Sequence, residues 1–313
     1  SGVTIIALGG LLFPILRNEG YSEKFSLGLV TTSGSLGLLF PPSLPIILYG
    51  LVAKVDIDQL FLAGILPGIL LIVILSLWCI KNDFWPSERV PFSSQELLLA
   101  FKGSFFEAIL PFGILLGIYG GFTTATEAAA ITGFYILIIE CFIYRDLHIL
   151  RDVPRVIWDS MSLVGGILLI LCCALGVTNY LVDQQIPTQI LSFMKEFLQS
   201  KYSFLLFLNI FLLIVGSMMD IFSAIIVVVP LITPIAKEFG VHPVHLAMIF
   251  LTNLEIGYIT PPVGINLFIS SFRFKRPVTE LYSSTIPFLL LLLVALGIIT
   301  YVPELSLFLV GSE

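Results

Sequence analysis

The chain has 313 residues, 58% of them hydrophobic and 12% charged, with a mean hydropathy of +1.06. This lies far outside the range of soluble domains and places the chain among polytopic membrane proteins. The net charge of −6 decides little, because in a membrane protein the distribution of Lys and Arg over the loops matters more than their sum.

Taken in chain order, residues 1–16 read as the returning limb of a re-entrant hairpin, followed at 25–52 by a spanning helix broken at Gly37–Pro42. Proline removes a backbone donor and clashes with the carbonyl one turn back, and glycine adds no Cβ, so the helix must unwind there. Apolar runs of roughly the 20 residues that cross a bilayer follow at 60–80, 104–122, 127–144 and 160–181. Residues 203–236 read as a second hairpin with Asp220 at its apex, 244–271 as a second broken span and 281–302 as the last span. Two stretches, 93–102 and 186–198, have the pattern of short helices lying along the membrane interface. Backbone groups in hydrocarbon must bond internally, and the alternating ten-residue strands of a barrel are absent. The fold class is therefore an all-α polytopic membrane protein. Cys79, Cys141, Cys172 and Cys173 lie in or at the ends of apolar segments without CxxC spacing, and they read as small buried hydrophobes.

The two broken helices are copies of one motif. Gly37-Leu-Leu-Phe-Pro-Pro42 aligns with Gly257-Tyr-Ile-Thr-Pro-Pro262 at a shift of 220 residues, and the same register pairs Pro14 with Pro234, Gly20 with Gly240 and Thr32 with Thr252. From Ser1/Ile221 to Gly50/Ser270, 10 of 50 pairs are identical, concentrated on Gly and Pro. The chain thus divides into the remainder of a first repeat, 1–103, and a second repeat, 104–313; the register expects about 117 residues ahead of Ser1 in the intact protein. With the threading above, the loops at 17–24, 81–103, 145–155 and 272–280 share one side and carry 11 of the 15 basic residues, leaving Lys54, Lys195, Lys201 and Lys237 on the other. Basic loops stay cytoplasmic, which puts the C-terminus outside and the two hairpins on opposite sides, as inverted repeats require.

Broken helices leave carbonyls and amides unpaired, and these are tolerated at membrane depth only inside protein or facing water. A hard cation such as sodium satisfies the carbonyls, while the half-helix N-termini beyond each Pro-Pro suit an anionic substrate. The alternative is that Pro-Pro merely kinks each helix for packing. The sodium- and substrate-binding set expected from position and chemistry is Thr32, Ser33, Gly37, Pro41 and Ser43 at the first break, Asn253, Gly257, Thr260, Pro261, Gly264 and Asn266 at the second, and Asp220 at the hairpin apex. Asp220 can help hold a cation or cap the returning limb. Glu255 reads as a supporting or snorkelling carboxylate, with direct ligation the alternative. Thr124 to Glu127 has the form of a capping box, and Glu107 and Glu140 read as interfacial or packing groups. His148, His242 and His245 lack metal spacing and read as solvated loop residues, so sodium alone is expected, with no other metal or cofactor.

These blocks, together with LFLAGILPG (60–68), YGGFTTATEAAAI (119–131), GSMMDIFSAIIVVVPLITP (216–234), NLEIGYITPPVGINLF (253–268) and PELSLFL (303–309), resemble the large membrane subunit of the tripartite ATP-independent periplasmic (TRAP) transporters. Ala125 stands where that family has Pro. The resemblance implies a sodium-driven importer of small organic acids, of the C4-dicarboxylate or sialic-acid type, working by an elevator motion in the bacterial inner membrane. Its implied partners are the lipid bilayer, a small membrane subunit and a periplasmic substrate-binding protein, with no nucleic acid. The rival readings are a self-contained sodium/carboxylate symporter, a channel, or an intramembrane enzyme. An enzyme needs a nucleophile with a base, or paired carboxylates, in a wet cavity; the polar residues here gather at helix breaks instead, so no enzymatic activity is expected.

Overall fold

Gly20 and Gly240 both take positive φ, +91° and +70°, and each ends the helix before it. In both places the next residue's amide reaches back to close the helix, Tyr21 to the Leu16 carbonyl and Val241 to the Ala236 carbonyl, each at 3.0 Å. Only glycine adopts this left-handed geometry without penalty. The two glycines that the 220-residue register pairs thus end their helices in the same way. The computed structural model describes residues 2–81, 93–120, 122–184, 189 and 200–311. Among these residues there is no strand.

The helices are α1 (Gly2–Asn18), α2 (Glu23–Ser33), α3 (Leu44–Ala53), α4 (Ile57–Lys81), α5 (Ser94–Gly103), α6 (Phe105–Tyr119), α7 (Ala125–Ile138), α8 (Asp152–Asp183), α9 (Lys201–Met218), α10 (Ile221–Glu238), α11 (Pro243–Gly257), α12 (Ile265–Phe274), α13 (Val278–Tyr301) and α14 (Glu304–Leu307). Their starts follow local chemistry. Ser22 accepts from the Phe25 amide to open α2, Ser200 from the Ser203 amide to open α9, and Thr124 and Glu127 form the expected capping box ahead of α7. His242 caps α11, with Pro243 at its first position. Five described helices are long and apolar enough to cross a membrane, and a sixth crossing results if the pair Glu23–Leu39 and Leu44–Ala53, bent by 46°, counts as one.

The chain forms two compact units. The first, residues 1–86 and 174–313, is built round α11, whose residues from Val244 to Gly257 are all buried. Packed against α11 are α9, α10, α13, α4, α3 and the tail helix α14. Outside this layer α1 lies on α2 and α12, and α10 lies on α3. Leu27, Leu267 and Leu281 form a core that Phe13, Phe274, Val278 and Tyr282 cover.

The second unit, residues 87–173, holds α5, α6, α7, a π-helical turn at Ile139–Ile143 and the first part of α8. The Tyr135 hydroxyl donates to the Phe106 carbonyl at 3.0 Å and ties α7 to α6. Many of its apolar side chains are exposed, Phe112, Leu116 and Phe134 among them, as suits a surface whose solvent is lipid. The boundary expected between the repeats, at residues 103 and 104, falls inside this unit.

Two elements differ from expectation. Helix α6 has 15 residues, about 22 Å, because Gly120 ends it and the Thr124 cap starts a new helix. Helix α8 begins at Asp152, well ahead of residue 160; hydropathy registers only the apolar part, whereas the helix continues through the charged turns carrying Arg155 and Asp159. The expected interfacial helix at 186–198 and the loop residue Arg89 lie outside the described residues, Gln189 apart.

Candidate functional site

At the first break α2 stops at Ser33, a 3-10 turn runs Leu36–Leu39, and α3 starts at Leu44 with Pro45 in its first turn. Helix α4 is shaped to receive this turn. A Cβ on Gly64 would lie 2.2 Å from the Leu39 carbonyl oxygen, and one on Gly68 would lie 2.6 Å from the Phe40 ring. Ser43 holds the N-cap position of α3 yet makes no capping bond. Its hydroxyl is buried and unpartnered, as is that of Thr32. Beside them opens a polar-lined cavity of about 310 Å³, bounded by Thr4, Ser33, Gly37, Leu38, Pro42 and Ser43. Gly37 faces open space there, with nothing within 4 Å of where a Cβ would stand.

The second break is closed by contrast. After Gly257 the chain tightens through Thr260 N to Gly257 O at 3.0 Å, and the Thr260 hydroxyl donates to the Ile256 carbonyl at 2.8 Å. Gly264, at φ +52°, then starts α12. A side chain at Gly264 would meet the Thr260 and Tyr258 carbonyl oxygens at 2.9 and 3.0 Å, which explains the glycine. The apex of the hairpin formed by α9 and α10 is fastened to this break. The Gly264 amide donates to the Ser217 carbonyl at 3.0 Å, the Tyr258 hydroxyl accepts from the Ile221 amide at 2.9 Å, and Gly216 lies backbone to backbone with Gly257. From α13, Tyr282 donates to the Pro262 carbonyl at 2.6 Å. The peptide bond between the two prolines is cis at both breaks.

The fold brings the two breaks together. The Thr31 hydroxyl donates to the Ser270 hydroxyl at 2.9 Å, and the Asn266 amide donates to the Thr31 carbonyl at 3.4 Å. At or near the two breaks stand buried oxygens with no hydrogen-bond partner: Thr32 Oγ1, Ser43 Oγ, Thr252 Oγ1, Asn253 Oδ1, Asn266 Oδ1 and both oxygens of Glu255. Leaving a buried polar atom unpaired costs about 1–3 kcal/mol. Among the described residues no group of three His, Cys, Asp or Glu could hold a metal ion.

The model of the family described as tripartite ATP-independent periplasmic transporter, DctM component, matches residues 1–305. The chain belongs to the DctM family. It is 34% identical over 311 residues to the isethionate TRAP transporter permease protein DctMQ of Oleidesulfovibrio alaskensis, a match covering 98% of this chain and 49% of that protein. To the C4-dicarboxylate TRAP transporter large permease protein DctM of Pseudomonas aeruginosa it is 36% identical over 309 residues, covering 98% and 72%. To the ectoine/5-hydroxyectoine TRAP transporter large permease protein UehC of Ruegeria pomeroyi it is 32% identical over 315 residues, again covering 98% and 72%. The chain therefore spans about half the length of the first of these relatives and under three quarters of the other two.

The expected site residues of this DctM-family chain take different places in that geometry. Thr32, Ser43 and Asn266 present free oxygens at the junction; Ser33 and Gly37 line the cavity. Gly257 serves the packing of the hairpin apex, and Gly264 the turn into α12. Pro41 and Pro261 lie in the stretches between α2 and α3 and between α11 and α12, after the preceding helix has already ended. Asp220 caps α10: one carboxylate oxygen accepts from the Phe222 and Ser223 amides, and the other from the Ser223 hydroxyl at 2.5 Å. Asn253 turns its amide away from the break, to Asn209 Oδ1 at 2.7 Å and the Ile249 carbonyl at 2.8 Å, while Asn209 donates to Thr300 at 3.0 Å. That triad joins α9, α11 and α13.

Two sequence readings are corrected. His245 is not a solvated loop residue: it is 1% exposed and bonded to Ser306 and to the Thr300 carbonyl, both at 3.2 Å, because α14 folds back over the start of α11. Nor does Glu255 snorkel, since it too is 1% exposed. Ser270 was missed although it lies one turn from Asn266 on the same helical face. Asn209, Thr300 and Tyr282 gave no local signal, their partners being tens of residues away.

Proposed function

We propose that this DctM-family chain is the membrane-embedded translocation subunit of a sodium-coupled TRAP importer of small organic acids. The observation that carries this reading is the set of orphaned buried oxygens where the two broken helices meet. Sodium is a hard cation that seeks oxygen ligands, and Thr32, Ser43 and Asn266 supply them from both breaks. Backbone carbonyls around Gly37, Pro41, Gly257, Thr260 and Pro261 add to the set, and Asp220 braces the hairpin apex that closes the second break. The substrate carboxylate is received by the amide ends of α3 and α12, whose dipoles favour an anion, in the cavity bounded by Ser33, Gly37 and Ser43. Two of the basic residues that follow the second break are committed elsewhere: Arg273 donates to the Ile6 carbonyl and Arg276 pairs with Glu23.

A site of hydroxyls, dipoles and bound cations lacks the bidentate Arg fork that discriminates among acids, so selectivity falls to a periplasmic binding protein acting with a small membrane subunit. The relatives named for C4-dicarboxylates, isethionate and ectoine accord with a site that serves different small charged solutes. Inverted repeats and an elevator motion are supported by the exchange of partners between the halves, with α1 on α12 and α10 on α3. The split of basic residues supports a multi-pass inner-membrane protein with a periplasmic C-terminus.

The test is uptake of a radiolabelled C4-dicarboxylate into proteoliposomes carrying the full transporter, under a sodium or a choline gradient, with and without the binding protein. Uptake that needs both sodium and the binding protein is expected. Uptake without the binding protein indicates a self-contained symporter, and uptake indifferent to sodium overturns the ion sites.

A further inference from the structure

Glu255 lies in the last turn of α11 with 1% of its surface exposed and no donor on either carboxylate oxygen. A buried carboxylate normally finds a base or several amides, because an unpaired ion in a dry interior costs several kcal/mol even after relaxation. Its position aggravates the cost. The carbonyl end of a helix is the negative pole, where a cation is stabilising and an anion is not.

The repeat register sharpens the point. Glu255 aligns with Ser35, a neutral residue whose hydroxyl donates to the Thr32 carbonyl at 3.5 Å. The second break therefore carries a carboxyl group that the first does not, and neither of its oxygens has a hydrogen-bond partner. One turn earlier, on the same helical face as Glu255, Thr252 is fully buried with its hydroxyl also unpartnered.

We propose that Glu255 is the anionic ligand of a sodium ion at the second break, with Thr252 supplying a neighbouring oxygen. The proposal rests on the sodium reading and deepens it. Of the two breaks, the second holds its ion by formal charge, and the first by dipoles alone. Emptied of that ion, the second break keeps a carboxyl group without a partner in the apolar interior, which disfavours movement of the unloaded site and so tightens coupling.

The experiment is thermal unfolding of the purified full transporter in sodium chloride and in choline chloride, for the wild type, Glu255→Gln and Glu255→Asp. A ligand bound only by the folded state raises Tm with its concentration. Glu255→Gln removes the charge at nearly constant volume, so it should melt above the wild type in choline and lose most of the sodium-induced rise. In proteoliposomes its half-saturating sodium concentration should rise about tenfold or more, the equivalent of about 1.4 kcal/mol. Glu255→Asp keeps the charge and should keep a sodium-induced rise, which decides the matter if the Gln variant does not reach the membrane. A Gln variant that melts below the wild type in choline and keeps the full sodium response makes Glu255 a structural residue and overturns the proposal. So does an Asp variant without a sodium response, or a Gln variant whose only loss is in pH dependence, which would assign a proton. A wild type indifferent to sodium defeats the sodium reading itself, and the two failures are thereby told apart.

Discussion

Replacing Gly257 with Ala separates packing from ion binding at the second break. An added Cβ would stand 2.4 Å from the Gly216 carbonyl carbon, 2.6 Å from its Cα and 2.8 Å from its oxygen. These are backbone atoms of α9, so no side chain can swing aside; the apex must lift, straining the Gly264–Ser217 bond and the Ile221–Tyr258 bond with it. Overpacking of this kind costs about 1–3 kcal/mol, partly offset by up to about 1 kcal/mol of improved helix propensity. A net loss of about 1–2 kcal/mol is expected, a fall in Tm of about 2–8 °C for a unit of this size. Gly297→Ala is the control, since nothing lies within 4 Å of its would-be Cβ inside α13; it should be neutral or stabilising by up to about 1 kcal/mol. The assay is thermal unfolding of the purified protein in sodium-free buffer, so that ion binding does not contribute. Gly257→Ala melting at or above the wild type would refute the close-approach argument.

Asn209→Leu should destabilise the protein by about 1–3 kcal/mol in the same assay, because Asn253 and Thr300 lose their shared partner; a Tm within 1 °C of wild type, a margin set on the scale of a few degrees per kcal/mol, would contradict the triad. Asp220→Ala should cost about 0.5–2 kcal/mol as a lost cap and Asp220→Asn much less, while a sodium affinity reduced in the Asn variant without loss of stability would make Asp220 a direct ligand instead. For topology, Lys24→Cys should be protected from an impermeant thiol reagent applied outside and Lys54→Cys should react, both positions being exposed; the reverse labelling pattern would invert the threading.

Much of this fold was legible because its breaks are written in Gly and Pro. The pairs Gly20/Gly240 and Pro41/Pro261 mark backbone events that few other residues produce, and a capping box such as Thr124–Glu127 is complete within four residues. What escaped was written across space. Gly257 reads as a helix breaker until Gly216 is seen against it, and His245 reads as a loop histidine until α14 returns to cover it. Asn209 and Thr300 are 91 residues apart, and their meeting depends on how α9 and α13 flank α11. Hydropathy also cannot place a helix end beyond the bilayer, so the charged start of α8 was missed. At the site, residue types at the breaks pointed to oxygen ligation. Which oxygens are left without partners depends on side-chain geometry that no local pattern encodes.

The central claim is that the free oxygens at the junction of the two breaks hold the coupling ion. It is tested most directly by the half-saturating sodium concentration for uptake in Thr32→Val and Asn266→Leu, each checked for an unaltered sodium-free Tm. Each substitution removes an orphaned oxygen of nearly fully buried residues, and Asn266→Leu also releases the Thr31 carbonyl. The account predicts that both variants fold, reach the membrane and need about tenfold more sodium, which corresponds to losing about 1.4 kcal/mol of ion binding. An unchanged sodium requirement in both, with uptake intact, would contradict it.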